Sequence, residues 1–386
     1  MTANLKIGVP QSGYPIIRNI LGSLPTWLKR VRPIDRHRIT TALRYRCGLQ
    51  TGQYESFTFA RPYLIDCDLF HFFNTTADVR RPWITTFETS VPRWGDVPVA
   101  VRVQGLRLLE SPWCRKVLAL SEAAKLMANS DWQAMLPAQA SRQLSEKTEV
   151  LLPPQAVLQQ PEAKAKRDGI LFAFIGNLFY RKGGLEMLEA FQRLDESGVR
   201  NWRALVVGNI DRIGDDVARA DESDRQRARE LLAALASRIE YHSYLPYPQV
   251  LETLKVADYY LLPTLADTFG YGVLEAQAYG AVAITTNVRA LPEIVSEESG
   301  HVIHLPLDAF GNAHTLPGFE KTRSDLTDSL EVILRKCCES SREQRLKKAA
   351  AATANLRSRH DPEEHRRRLE TIYRHALEAS PEGSSG

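Results

Sequence analysis

The sequence predicts an α/β protein with two doubly wound parallel sheets, one in each half of the chain. Short apolar runs alternate with helical patterns throughout the second half, which is typical of a parallel sheet with helices on both faces. The first half repeats this alternation less regularly. A chain of 386 residues also exceeds the length at which a single core keeps growing, so two domains are expected.

In the second half, predicted strands and helices follow one another in a regular order. The first strand is an apolar run ending in glycine, and the next segment places Leu185, Leu188 and Phe191 at helical spacing. Strands are predicted at 170–177, 202–209, 239–245, 258–263, 281–287 and 301–306, and helices at 183–194, 224–238, 249–257, 270–280 and 291–298.

The first half contains five predicted strands and two predicted helices. The strands are 5–10, 68–74, 82–88, 115–121 and 149–154, and the helices are 95–111 and 122–136. The aperiodic, proline- and glutamine-rich segment 153–169 predicts a linker. We therefore expect a first domain at 1–152 and a second, ligand-binding domain at 153–360. A helix at 361–378 is expected to pack back on the first domain, followed by a disordered tail at 379–386.

The composition is that of a globular protein, with 44% hydrophobic and 25% charged residues. No run of 18 or more apolar residues predicts a membrane span. The N-terminal residues lack the apolar region and cleavage site of a signal peptide. The five cysteines form no CxxC pair, which argues against a metal site and favours a reducing compartment. A cytoplasmic location is therefore expected.

Positive charge is concentrated in residues 27–46, which contain a single acid, Asp35. One interpretation is a solvated surface, and the other is peripheral contact with an anionic membrane, which would place the protein at the inner face of the membrane. No recognised nucleic-acid module accompanies the stretch, so no nucleic-acid partner is expected. The basic residues are Lys29, Arg30, Arg32, Arg36, Arg38, Arg44 and Arg46.

The segment LADTFGYGVLEAQAYG (265–280) places two carboxylates around a turn that opens a helix. Thr268, Phe269 and Gly270 lead into the helix, whose first N–H groups favour a phosphate, and the glycine permits close approach. Glu275 lies too deep in the helix to cap it, so we expect it to accept hydrogen bonds from a ribose diol. Asp267 is expected to meet sugar hydroxyls. The alternative is an acid favoured by the helix dipole, followed by an exposed glutamate.

This segment resembles the signature E-x-F-G-x-x-x-x-E-A of the group 1, or family four, retaining glycosyltransferases. It reads Asp267-Thr268-Phe269-Gly270 and then Glu275-Ala276, with aspartate one methylene shorter than the family's first glutamate. The following AYGAVAITTNVRALPEIV (278–295) is also similar to the family. The resemblance covers roughly 160–305. It implies a GT-B fold of two Rossmann-like domains facing a cleft, with ligands beyond the carboxyl ends of the strands.

The segment FIGNLFYRKGGLEML (174–188) resembles the family's G-R-x-x-x-x-K-G loop, whose arginine and lysine bind the donor diphosphate. Lys182 and Gly183 match this loop, Asn177 occupies the arginine position, and Arg181 is considered as a replacement cation. The resemblance implies that Lys182 stabilises charge on the leaving phosphate without a metal or other cofactor. Two surface cations before a helix are the structural alternative.

Glu88 and Gly13 are the candidates in the first half. Glu88 ends the strand ITTFETS, where the family has a histidine near the donor sugar. A carboxylate there is expected to bind a sugar hydroxyl, to stabilise positive charge at the anomeric carbon or to act as a nucleophile. A helix-capping acid is the alternative. Gly13 in VPQSGYP is a thin match to a glycine-rich loop of the family, and a plain turn is equally compatible.

Three further features complete the predicted site. Backbone groups near Tyr244 and Leu245 are expected to contact the nucleotide base, as the fold implies. His71 in DLFHFFN is interpreted as a structural histidine. The D-x-D sequence at 66–68 is interpreted as polarity at the start of a strand rather than as a metal site.

The sequence therefore predicts a retaining hexosyltransferase. It would move a sugar from a nucleoside diphosphate donor to a hydroxyl of a saccharide or lipid-linked saccharide, as in the synthesis of cell-surface polysaccharides or glycoconjugates. Two alternatives remain, a GT-B-like sugar-nucleotide epimerase and a non-catalytic nucleotide-binding member. The base, the sugar, the acceptor, the linkage and the oligomeric state are left open.

Overall fold

The chain forms two compact units in the computed structural model, Met1–Pro154 with His360–Gly386, and Gln155–Arg359. The residues that the structure describes are 5–35, 39, 42–43, 46–48, 59–60, 62–63, 67–93, 98–164, 167–215 and 217–378. The predicted tail at 379–386 lies outside them, as do Asp66 of the D-x-D sequence and Arg36, Arg38 and Arg44 of the basic stretch.

The first unit is built on a parallel six-stranded sheet with the strand order β10-β9-β8-β6-β1-β2. Every residue of β6 and β8 is buried, as expected for central strands that are covered on both faces. Two short pairs, β3–β5 and β4–β7, lie outside this sheet. The strands are β1 Leu5–Gly8, β2 Leu28–Val31, β3 Ile34–Asp35, β4 Phe59–Ala60, β5 Pro62–Tyr63, β6 Leu69–Phe73, β7 Thr76–Ala77, β8 Trp83–Phe87, β9 Cys114–Ala119 and β10 Thr148–Val150.

Helices cover the sheet of the first unit. These are α1 Tyr14–Asn19, α2 Val99–Arg107, α3 Glu122–Met135 and α4 Ala138–Lys147. Helix α3 begins after Ser121, whose hydroxyl accepts a hydrogen bond from the backbone N–H of Ala124 at 3.0 Å. Helix α2 ends at Arg107 rather than at the predicted residue 111, because the chain tightens into a 3₁₀ turn at Leu108–Glu110. Residues 95–97 of the predicted helix lie outside the described residues.

The second unit contains a parallel six-stranded sheet with the order β13-β12-β11-β14-β15-β16. Its strands are β11 Ile170–Ile175, β12 Trp202–Val207, β13 Ile239–His242, β14 Tyr259–Leu262, β15 Val282–Thr286 and β16 Gly300–Ile303. The chain order reverses between β11 and β14, which is the switch point where ligands of open α/β sheets bind.

The helices of the second unit alternate with its strands. They are α5 Gly184–Glu196, α6 Glu222–Ala234, α7 Tyr247–Val256, α8 Tyr271–Ala278, α9 Leu291–Ile294, α10 Phe319–Glu339 and α11 Arg342–Arg359. Phe191 of α5 stacks on Trp202 of β12 with ring centroids 4.6 Å apart and meets Phe172 of β11 edge-on at 5.4 Å. This packing anchors the helix that follows the predicted diphosphate loop.

The last helix, α12 Pro362–Glu378, packs on the first unit. Its Tyr373 hydroxyl lies 2.8 Å from Nδ1 of His71, and Nε2 of the same ring lies 2.8 Å from Oγ1 of Thr86. Both ring nitrogens are thus hydrogen-bonded in the core, which confirms the interpretation of His71 as structural. Among the described residues, no helix combines the length and apolar character needed to cross a bilayer.

Several predicted boundaries differ from the structure. The predicted helix 291–298 ends at Ile294, because the next residues form a turn in which the Ser299 N–H donates to the Ser296 carbonyl at 3.0 Å. The basic stretch contains strand β2, and the linker contains a 3₁₀ turn at Pro161–Ala163. Helices α1, α4, α10 and α11 and the strands β2, β3, β4, β5 and β7 had no predicted counterpart.

Candidate functional site

The turn between β11 and α5 is held by a glycine that no other residue can replace without strain. Gly183 has φ 74° and ψ 28°, in the left-handed region. A Cβ at this position would lie 2.0 Å from the carbonyl oxygen of Pro263, at the end of β14. The turn therefore lies directly against the neighbouring strand, across the switch point.

Backbone hydrogen bonds join this turn to the loop between β14 and α8. The N–H of Leu265 donates to the carbonyl of Arg181 at 2.9 Å. The second loop enters α8 through Gly270, which has φ 101°. A Cβ on Gly270 would lie 2.5 Å from Cδ2 of Leu291, so a side chain at that position would be strained and would have to displace this leucine. The two predicted motifs are thus one structural unit.

Lys182 and Asp267 come together at this point. The Lys182 Nζ lies 2.5 Å from Oδ2 of Asp267, and both side chains are largely buried. The other oxygen, Oδ1, accepts the backbone N–H groups of Thr268 at 2.7 Å and Phe269 at 3.4 Å. The carboxylate therefore fixes both the lysine and the backbone that opens α8, so a cation and backbone amides border the same place.

Arg181 points to a different carboxylate from its neighbour. Its guanidinium forms a two-pronged ion pair with Asp215, with Nε 3.0 Å from Oδ1 and Nη2 2.6 Å from Oδ2. Partial burial opposes ionisation of Asp215, but hydrogen bonds from Arg181 and from the N–H groups of Val217 and Ala218 lower its pKa. The structure therefore places Arg181 in an ion pair that organises the loop after β12.

Glu275 lies on α8 and is 9% exposed. Its Oε1 accepts a hydrogen bond from the Tyr247 hydroxyl at 2.8 Å. Burial, followed by the charges of Glu275 and Asp267, raises the pKa of the buried Tyr260 phenol below α8. The charges of both acids of the motif thus reach the same buried tyrosine.

The remaining predicted residues of this unit differ in what they expose. The Phe269 ring is 1% exposed and lies 5.2 Å from the Tyr271 ring, so the side chain of Phe269 is part of the core. Thr268 is half-buried beside Asp267. Leu245 is half-buried in the segment between β13 and α7, next to the 74% exposed ring of Tyr244.

Glu88 and Gly13 lie in the first unit, at the carboxyl edge of its sheet. The Glu88 side chain is buried, its N–H donates to Oδ1 of Asn74 at 3.0 Å, and its Oε2 lies 3.7 Å from Nη1 of Arg93. Gly13 has φ 135° and is exposed at the start of α1. Gln11, two residues earlier, bonds both backbone groups of Phe73, which ties the ends of β1 and β6 together.

The described residues contain no group of three or more acidic, histidine or cysteine side chains that could hold a metal ion. Asp68, from the D-x-D sequence, accepts the Lys6 N–H through Oδ2 at 2.6 Å. Asp68 therefore holds the start of β6 against β1, in agreement with its interpretation as polarity at the start of a strand.

Sequence reasoning missed four residues that contact the predicted site residues. They are Asn74, Asp215, Tyr247 and Arg289. Asn74 directly ends a predicted strand, and that position is a usable signal for a site residue. Arg289 lies within the quoted segment 278–295, but nothing in that segment marked its side chain. Asp215 and Tyr247 lie outside the quoted motifs, and their side chains reach Arg181 and Glu275 from a loop and a helix distant in sequence.

Residues 158–309 match the family model described as glycosyl transferases group 1. No curated protein matches the chain.

Solved glycosyltransferase structures resemble the chain over nearly its full length. A glycosyltransferase from Rickettsia africae has a TM-score of 0.60 at 14% identity and covers 98% of this chain and 100% of that one. Sucrose-phosphate synthase from Thermosynechococcus elongatus scores 0.59 at 15% identity, covering 97% and 100%. HepE of Anabaena in complex with UDP scores 0.57 at 14% identity, covering 96% and 99%. At these identities the likeness establishes the fold, two parallel α/β sheets of GT-B type.

Proposed function

We propose that this chain is a retaining hexosyltransferase that uses a nucleoside diphosphate sugar, because residues 158–309 match the family model of the group 1 glycosyl transferases. The acceptor is a hydroxyl of a saccharide or lipid-linked saccharide, as in cell-surface polysaccharide or glycoconjugate synthesis. The observation that carries the proposal is the meeting of Lys182 with Asp267 and the start of α8 at the switch point of the second unit.

The donor is held mainly by its diphosphate and ribose. Lys182 and the backbone N–H groups near Phe269 and Gly270 bind the diphosphate, and Glu275 accepts the ribose hydroxyls. The backbone near Leu245 contacts the base. HepE structures contain UDP and UDP-glucose, which supports UDP-sugars as the first donors to test.

The transfer step needs charge stabilisation at the leaving phosphate. The acceptor oxygen attacks the anomeric carbon, the bond from that carbon to the phosphate oxygen breaks, and the acceptor proton passes to the departing phosphate. Negative charge develops on the phosphate, and the proposed role of Lys182 is to stabilise this charge, because preorganised groups supply much of a catalytic effect. No metal is assigned to this step. Asp267 is assigned to sugar hydroxyls.

In the first unit, Glu88 and Gly13 are assigned to the sugar and acceptor side. The buried Glu88 carboxylate accepts a hydrogen bond from Nδ2 of Asn74 at 3.5 Å and is suited to a sugar hydroxyl. Exposed cations of the basic stretch, such as Lys29 and Arg30 on β2, support peripheral contact with an anionic membrane surface at the cytoplasmic side.

The first experiment is a comparison of the wild type with Lys182→Ala. Nucleotides and their sugars are first screened for thermal stabilisation, and transfer is then measured with the donor that binds and a panel of saccharide acceptors. We expect the variant to lose about 100-fold or more in the transfer rate, because it lacks the cation at the leaving phosphate.

Arg193→Ala is the matched control, because this cation lies on the exposed side of α5 in an ion pair with Asp328. It should transfer at the wild-type rate. Near-normal transfer by Lys182→Ala would contradict the assignment. Isomerisation of the donor without an acceptor would identify an epimerase instead, and nucleotide binding without any turnover would identify a non-catalytic member.

A further inference from the structure

A second cation, Arg289, contacts the same aspartate as Lys182, namely Asp267. Arg289 follows β15, and its Nη1 lies 3.3 Å from the backbone oxygen of Asp267. Lys182 Nζ lies 2.5 Å from a carboxylate oxygen of the same residue. Two cationic side chains from separate loops therefore converge on the residue that opens the loop into α8.

The backbone of Arg289 adopts a conformation that costs free energy. Its φ is 46°, in the left-handed region that favours glycine. Its N–H donates to the carbonyl of Gly311 at 3.3 Å. Non-glycine residues in such conformations persist where the surrounding structure holds them, and they concentrate at ligand sites. A glycine would relieve the strain, so the presence of arginine here points to a use for its side chain.

A chain of hydrogen bonds fixes the direction of this guanidinium. Oδ1 of Asn312 accepts from Nε at 2.9 Å and from Nη2 at 2.6 Å. Asn312 is 7% exposed and is itself held by Asp308, which accepts its backbone N–H at 2.9 Å. Partial burial opposes ionisation of Asp308, but hydrogen bonds led by the Asn312 N–H lower its pKa to about 2. Asp308 is therefore charged at neutral pH and orders the loop that aims Arg289.

Among the cations near the loop, Arg289 suits an anionic ligand better than Arg181. Arg181 is directed towards Asp215 in the loop after β12, whereas Asn312 and the Asp267 carbonyl direct Arg289 towards the start of the loop into α8, where Lys182 also lies. Planar guanidinium groups that are held in one orientation bind phosphate oxygens in a two-pronged manner.

We infer that Arg289 is the second cation of the diphosphate site, in place of the arginine that is absent at Asn177. This inference rests on the proposed function, because it concerns the same donor. Arg289 and Lys182 approach the donor phosphates from different strands, β15 and β11, and Asn312 acts as a positioning residue for Arg289.

The test compares Arg289→Gly with Arg219→Gly. Both arginines lie in the second unit at positive φ, 46° and 52°, but Arg219 lies over the Phe319 ring, at 5.6 Å from its centroid. Binding of UDP, UMP and uridine is measured by calorimetry, together with the thermal midpoint. We expect Arg289→Gly to keep or raise the midpoint while losing about tenfold to 100-fold in UDP affinity. Its affinity for uridine should not change.

Arg289→Lys should recover part of the UDP affinity, and Asn312→Ala should lose part of it with Arg289 still present. Arg219→Gly should bind UDP as the wild type does. UDP binding by Arg289→Gly at the wild-type level would overturn the inference and leave the proposed function intact. If the wild type binds none of UDP, GDP and ADP, the proposed function fails, and this inference fails with it.

Discussion

At the residue scale, each charged side chain is defined by its partner rather than by its position in a motif. Lys182 and Arg181 are neighbours in sequence, yet one meets Asp267 and the other meets Asp215. The Glu275 carboxylate accepts a hydrogen bond from the Tyr247 hydroxyl, which orients it. Such pairing restricts the side chains before a ligand arrives and lowers the entropy lost on binding.

Glu275→Ala tests the ribose role. If the carboxylate accepts hydrogen bonds from the ribose diol, the wild type should prefer UDP over 2′-deoxy-UDP by about tenfold, the range expected for one hydrogen bond to a charged group. The variant should bind the two nucleotides equally well. Calorimetric titration with both ligands measures this ratio.

Tyr247→Phe provides an intermediate case, because it keeps the carboxylate and removes only its hydroxyl partner. It should retain a reduced preference for UDP. A preference in Glu275→Ala equal to that of the wild type would contradict the ribose assignment.

At the element scale, two loops join because glycines allow backbone to approach backbone. Gly183 lies against Pro263, which directly follows the neighbouring strand β14, and Gly270 lies against Leu291 of α9. Without these contacts Lys182 would lie farther from Asp267, since the Arg181 carbonyl next to it is bound by the Leu265 N–H. The close approach of the loops therefore sets the position of the lysine.

Gly183→Ala should destabilise the protein more than Gly198→Ala. Both glycines have positive φ, 74° and 87°, but a Cβ on Gly198 meets no atom within 4 Å, whereas one on Gly183 lies 2.0 Å from a carbonyl oxygen. Backbone strain alone costs about 1 kcal/mol at either position. The clash should add about 1–3 kcal/mol in Gly183→Ala only.

Urea denaturation of the two variants and the wild type measures these differences in the free energy of unfolding. The Gly183 variant should also lose UDP affinity, because Lys182 shifts with the turn. Equal destabilisation by the two substitutions would show that the contact with Pro263 has no steric consequence.

At the scale of the whole molecule, the end of the chain completes the first unit. Helix α12 places Tyr373 on His71 of the central strand β6. Burial, together with the charge of His365 on the same helix, lowers the pKa of His71 from 6.5 to about 3. The histidine is therefore neutral in the folded protein at every pH above about 3.

This pKa predicts that the folded protein loses stability in mild acid. The unfolded chain takes up a proton on His71 near pH 6.5 and the folded chain does not, so the free energy of unfolding falls as the pH drops from 6.5 towards 3. At about pH 5.5 the loss from this residue is about 1.4 kcal/mol.

The thermal midpoints of the wild type and His71→Gln between pH 7.5 and about 5 measure this effect. As the pH is lowered, the midpoint of the wild type should decrease more steeply than that of the variant, whatever their difference at pH 7.5. Parallel curves would show that His71 does not titrate on unfolding. His365, whose pKa burial also lowers, contributes in the same direction in both proteins.

Local patterns predicted much of the second unit. Its six strands and the helices from 183 to 280 follow from apolar runs and helical spacing, because each of these signals lies within a few residues. The residues 307–360 had no predicted elements, although they form the long helices α10 and α11. Their apolar faces are completed by packing, as where α10 lies along α5, and that partner is distant in sequence.

The sequence by itself determined the alternation of strands and helices and the residue types of a diphosphate loop, since propensity, spacing and motif are properties of neighbouring residues. Only the tertiary structure decided the strand order, the separate partners of Arg181 and Lys182, and the place of Arg289. These depend on which strands pair and which loops meet at the switch point. Such contacts join residues as far apart as 182 and 267, whose proximity results from packing of the whole sheet.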